Sequence, residues 1–232
     1  MKRIISALAL VYLVLTLVGC SSGTAQTQTY PTTSIHTPAS KPTQPSIPSG
    51  TVLYQSDWSH GLAAWGNPPG WKIVNGMLQS DLGDNDIITL PYKSAAPNYA
   101  LEVRFQIVSV PNDGGYFVVY TDQTQGKDGY DAGILNLLSP AAHNQFANPQ
   151  VQVYINPTDD MESRMVTSDY EPGFGWHTYR IEVQGPTVRF FTDGLGKSSA
   201  TSAVTTALSN GPIRLESAGA IINVSSVRLM AL

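Results

Sequence analysis

Three tyrosines, Tyr116, Tyr120 and Tyr130, and the alternation Gln152-Tyr154-Asn156 are the side chains here best suited to hold a ligand. A tyrosine ring stacks on C–H surface and carries a hydroxyl, while amides both donate and accept hydrogen bonds. That combination fits a sugar, whose ring has an apolar face and a rim of hydroxyls. A glycosidase needs more: two carboxyl groups about 5 Å apart if retaining, or about 6.5–9.5 Å apart if inverting. No such pair is evident, so no catalytic residue is assigned. The one dense acidic loop, Asp81-Leu82-Gly83-Asp84-Asn85-Asp86, offers hard oxygens from Asp81, Asp84 and Asp86 for a structural calcium ion. It lacks the regular spacing and closing Glu of an EF-hand. His60, His143 and His177 show no zinc spacing, and there is no Gly-x-Ser-x-Gly elbow or phosphate-cradling glycine loop. No cofactor beyond that calcium is expected.

The elements that must position these groups are strands. Leu101, Val103, Phe105 and Ile107 alternate with Glu102, Arg104 and Gln106, so the apolar set shares one face. The same period of two runs through Val151, Val153 and Ile155, and through Tyr179, Ile181 and Val183. These residues are expected in one core. Residues 188–193 read as a further strand, and the more continuously apolar 115–121 and 130–138 suit central strands. Turn signals separate the runs: Asn75-Gly76, Gln184-Gly185-Pro186, Asp193-Gly194 and Ala218-Gly219. Only 201–208 could turn briefly as helix. About a dozen short strands imply an all-β antiparallel sandwich. Trp58, Trp71 and Trp176 are expected in its core and Trp65 on its surface. Glu102, Arg104, Arg180 and Glu182 are expected to form cross-strand ion pairs.

The N-terminal part follows different rules. Met1-Lys2-Arg3 precedes an apolar run from Ile4 to Val18, which ends in Leu17-Val18-Gly19-Cys20. This is similar to the lipobox of bacterial lipoproteins, with a signal-peptide core too short for a membrane span of about 20 residues. The resemblance implies a signal peptide over 1–19 and lipid on Cys20, the single cysteine. Residues 20–50, rich in Ser, Thr, Pro and Gln, are expected to form a disordered tether, leaving 51–232 as one domain. Removing Lys2 and Arg3 from the 13 basic residues leaves 11 against 17 acidic ones, a formal charge of −6. That balance argues against nucleic acid as a partner and against electrostatic docking on anionic lipid. The protein is therefore expected in the cell envelope, facing away from the cytoplasm, with its lipid as its one membrane contact.

The motifs of the domain resemble a family. Leu53-Tyr54-Gln55-Ser56-Asp57-Trp58, Gly70-Trp71-Lys72-Ile73-Val74-Asn75-Gly76, Gly114-Gly115-Tyr116-Phe117-Val118-Val119-Tyr120, Gly129-Tyr130-Asp131-Ala132-Gly133 and Gly175-Trp176-His177-Thr178-Tyr179 occur in the order seen in 3-keto-disaccharide hydrolase-like domains. Levan-binding modules are related to that group. The resemblance implies a concanavalin A-like jelly roll of two antiparallel sheets, with polar side chains directed into a concave face. The chain departs from the family at three places. Tyr120 stands where an Arg usually ends the glycine-led strand, and Asp131 and Gly133 stand where Glu and Gln follow the Gly-Tyr pair. Losing Arg and Gln removes forked hydrogen-bonding groups. The expectation is accordingly carbohydrate binding without catalysis, through Tyr116, Tyr120, Tyr130, Asp131, Gln152, Tyr154 and Asn156. The competing readings are a glycoside hydrolase of the family and a structural or protein-interaction lipoprotein.

Overall fold

Alternating apolar and polar residues between Gly- and Asn-containing turns leave the chain one economical way to bury its apolar faces, which is to lay two sheets against each other. The computed structural model describes residues 47–94, 96–111, 114–139, 148–156 and 164–232, with side chains of the last segment from Thr167 onward. Cys20, the tether up to residue 46 and His143 lie outside the described residues.

In chain order the strands are β1 (Val52–Gln55), β2 (Trp71–Val74), β3 (Met77–Ser80), β4 (Asp86–Thr89), β5 (Tyr99–Ser109), β6 (Gly115–Thr121) and β7 (Gly129–Leu137). They continue with β8 (Gln150–Asn156), β9 (Arg164–Asp169), β10 (Trp176–Gln184), β11 (Thr187–Thr192), β12 (Leu195–Thr201), β13 (Ile213–Ala218) and β14 (Ile221–Ala231). One sheet has the order β12-β11-β10-β5-β14-β3-β2, and β1 pairs with the end of β14 that β3 leaves uncovered. The other has the order β4-β13-β6-β7-β8-β9. All the pairings between these strands are antiparallel. This is the expected two-sheet jelly-roll sandwich. Among the described residues the only helix is a 3-10 turn at Ala63–Trp65, so 201–208 forms no helix, and no helix is long and apolar enough to cross a membrane.

The expected core residues Leu101, Val103, Phe105, Val151, Val153, Tyr179, Ile181 and Val183 are all buried in one cluster. Its centre is aromatic. Phe105 lies 4.2 Å from Tyr179 and 5.2 Å from Phe117 between ring centroids, and Tyr179 lies 4.8 Å from Phe190. Two buried hydroxyl contacts tie the sheets together. Tyr179 Oη on β10 donates to the Phe117 carbonyl on β6 at 3.3 Å, and the hydroxyls of Tyr99 on β5 and Tyr130 on β7 meet at 3.0 Å.

Two tryptophans differ from expectation. Trp65 is buried, 4.9 Å from Trp58 and 6.1 Å from Tyr54, because the 3-10 turn and Gly66 (φ 81°) fold it back onto the sandwich. Trp176 is 37% exposed. Its even position puts it in step with Thr178, Arg180 and Glu182, opposite the core residues Tyr179, Ile181 and Val183. Arg104 stacks over its ring at 5.3 Å rather than joining an ion pair. The other expected pairs form: Arg180 donates to Glu102 at 2.7 Å and to Glu182 at 2.8 Å.

Candidate functional site on the outer face of the six-stranded sheet

The site is built by period two. In β6, Phe117 and Val119 face the core, so Tyr116, Val118 and Tyr120 face outward. In β7, Tyr130, Ala132 and Ile134 face the core, which turns Asp131 and Gly133 outward. In β8, Val151, Val153 and Ile155 are core and Gln152, Tyr154 and Asn156 are outward. In β13, Ile213 and Leu215 are core and Arg214 and Glu216 are outward. Register then aligns the strands. Arg214 pairs with Tyr120, Tyr120 with Asp131, and Asp131 with Tyr154, which makes one transverse row across four strands. The next row runs Glu216, Val118, Gly133, Gln152. Neighbouring strands are about 4.8 Å apart, close to the span of one sugar ring.

Six of the seven residues expected to hold sugar, Tyr116, Tyr120, Asp131, Gln152, Tyr154 and Asn156, share this face and are half-buried. The seventh does not. Tyr130 is 1% exposed and its hydroxyl is held by Tyr99 inside the sandwich. Adjacent residues of a strand point to opposite sides, so Tyr130 and Asp131 cannot both face out.

The electrostatics of the face are acidic and sheltered. Tyr116 Oη donates to Glu216 Oε1 at 2.6 Å. Burial, this bond and the Glu216 charge push the Tyr116 hydroxyl pKa well up. Asp131 Oδ1 is shielded and has no hydrogen-bond partner among the described residues. Burial first, then the charge of Glu216, push the Asp131 carboxyl up to about 7. Arg214 donates to Asp122 and lies over the Tyr120 ring, 5.6 Å from its centroid. Gln123 Nε2 donates to Asn156 Oδ1 at 2.7 Å.

Glu216 and Arg214 are the residues that the sequence reading missed. The alternation Ile213-Arg214-Leu215-Glu216 marks a strand with a polar face, but the pairing that seats it beside β6 spans about a hundred positions and leaves no local signal. Asp131 and Glu216 lie on one face with a single strand between them. Gly133 also gains a reason. A Cβ there would lie 2.3 Å from the Phe117 carbonyl oxygen and 2.6 Å from Val118 Cα, so the close approach of β6 excludes any side chain.

In the acidic loop Asp81 and Asp86 approach each other beside Gly83, where a Cβ would lie 3.0 Å from Asp81 Oδ1 and 2.3 Å from Asp86 Oδ1; Asp84 is exposed, and among the described residues no three His, Cys, Asp or Glu side chains converge as a metal cluster.

The two antiparallel sheets packed face to face form a concanavalin A-like jelly roll, with a polar, aromatic-bearing outer face on the six-stranded sheet. The profile of the 3-keto-alpha-glucoside-1,2-lyase-like domain matches residues 50–230, and the chain belongs to that family. No curated protein sequence matches it. Among solved structures it is similar to the kappa-carrageenase of Pseudoalteromonas carrageenovora, at 10% identity and TM-score 0.53, covering 85% of this chain and 99% of that one. It is also similar to the CBM2 module of the evolved Dit of Lactobacillus casei BL23 phage J-1, at 11% identity and TM-score 0.53, covering 79% and 97%. A third is beta-agarase A, solved with oligoagarose, at 16% identity and TM-score 0.53, covering 70% and 75%. At these identities the likeness concerns the fold.

Proposed function

We propose that this chain is a lipid-anchored protein of the cell envelope that binds carbohydrate on the outer face of its six-stranded sheet without cleaving it. The observation that carries the binding is the row Arg214, Tyr120, Asp131, Tyr154. It sets two half-buried aromatic rings on either side of a carboxyl whose Oδ1 has no partner. Ring faces take the C–H side of a sugar, and Asp131, Gln152 and Asn156 take its hydroxyls. A shallow face of this kind gives micromolar to millimolar affinity, about −4 to −8 kcal/mol. What supports the anchor is the lipobox-like run ending in Cys20 and the Ser-, Thr- and Pro-rich sequence behind it.

A second reading has its own observation, the Asp131–Glu216 pair. A carboxyl held near 7 can give up or take up a proton at neutral pH, and Glu216 puts a second carboxyl on the same face, as acid–base cleavage requires. The family name points to elimination from a 3-keto-alpha-glucoside, which needs such a base and acid. The two readings separate in one experiment: the purified protein is applied to a glycan array, and the glycans it retains, together with a 3-keto-glucoside, are assayed for products. Retention with no product supports binding alone. Steady product that Asp131→Asn abolishes supports the lyase reading. Retention of no glycan leaves the structural or protein-interaction lipoprotein.

A further inference from the structure

The acidic loop lies outside the sugar-binding row, and one of its members is buried. Asp86 opens β4 with 7% exposure, opposite Ser217 of β13. Its carboxyl fills a cradle between two glycines: a Cβ on Gly70 would come within 1.8 Å of Asp86 Oδ1, and one on Gly83 within 2.3 Å. Its Oδ2 is shielded and accepts no hydrogen bond from the described residues. Asp81 approaches the same carboxyl from the solvent side: its Oδ1 accepts the Gly83 N–H at 2.7 Å, and a Cβ on Gly83 would lie 3.0 Å from that oxygen and 2.3 Å from Asp86 Oδ1. Two neighbouring carboxylates, one of them buried, resist being ionised together unless a positive species lies between them.

We propose that Asp81 and Asp86 form a divalent-cation site that takes calcium, with Asp86 as the inner ligand and Asp81 as the outer one. The donors are oxygens alone, and no histidine or third carboxylate joins them among the described residues. That set disfavours zinc and suits calcium, which completes its shell with loop carbonyls and water. With two carboxylates the affinity falls in the weak class of extracellular sites, about 10⁻⁴–10⁻³ M.

The site joins elements of both sheets. The Asp81 N–H donates to the Gly70 carbonyl before β2 at 2.8 Å, and the Gly219 N–H, in the turn between β13 and β14, donates to the Gly83 carbonyl at 3.3 Å. A cation here pins edge strand β4, whose partner β13 carries Arg214 and Glu216.

The test is thermal unfolding of the full chain at neutral pH, in EDTA and in millimolar calcium, with terbium luminescence excited through tryptophan as a direct probe of the site. Calcium should raise the midpoint of the wild type and quench its terbium signal. Asp81→Asn, an exposed substitution that leaves the core untouched, should abolish both effects, and Asp86→Asn should do the same if it folds. Equal midpoints in EDTA and calcium, with no terbium signal, would mean that the pair shares a proton instead, and the proposal fails. A calcium response that survives in Asp81→Asn would place the ion elsewhere and overturn it as well.

Discussion

Asp131 and Glu216 lie on the same sheet face with one strand between them, and the Glu216 charge adds to burial in holding the Asp131 carboxyl up at about 7. An unfolded Asp titrates near 4. Between these values the folded chain keeps a proton that the unfolded chain has released, so stability falls as pH rises from about 4 to about 7 and then levels off. Asp131→Asn removes this contribution. The variant should be more stable than wild type above pH 7 by roughly 2–4 kcal/mol, and the gap should close toward pH 4. Asp86, pushed up to about 6, titrates in the same window, but it does so in both proteins and cancels in the difference. Denaturant melts of both proteins across pH check this, and parallel curves would contradict it.

Tyr130 belongs to the core, and its chemistry there is testable. Tyr130→Phe leaves the Tyr99 hydroxyl buried without its partner. The cost should be about 1–3 kcal/mol, with glycan binding unchanged. A variant of unaltered stability that loses binding would return Tyr130 to the site.

Phe105 is 0% exposed at the centre of the aromatic cluster that bridges the sheets. Phe105→Ala should cost about 3–5 kcal/mol. An unmoved denaturation midpoint would refute the core as described.

The alternations at 101–107, 151–155 and 179–183 made the sandwich and its core legible, because period two needs no knowledge of partners. The outward set in β8 followed from the same rule. What escaped was non-local or a matter of parity. Glu216 reaches the site only through the pairing of β13 with β6. Tyr130 was read by its residue type, when its place beside Asp131 already forbade the outer face. Trp65 and Trp176 exchanged roles for similar reasons, one folded back by a glycine-ended turn and the other set outward by its even position in β10.

Membrane attachment is tested apart from the fold. With a fatty-acid analogue fed to producing cells, the wild type should carry label and Cys20→Ala should not, accumulating as uncleaved or mislocalised precursor. Equal label in both would remove the anchor from the account.

The central claim, sugar held on the row Tyr120, Asp131, Tyr154, is tested most directly by calorimetry of wild type and the Tyr120→Ala/Tyr154→Ala double variant against the same glycan panel. The account predicts heat of binding in the micromolar to millimolar range for at least one glycan, about −4 to −8 kcal/mol. It predicts loss of that heat in the double variant, which should still unfold cooperatively because both rings lie outside the core cluster. Binding that persists unchanged in the double variant would contradict it.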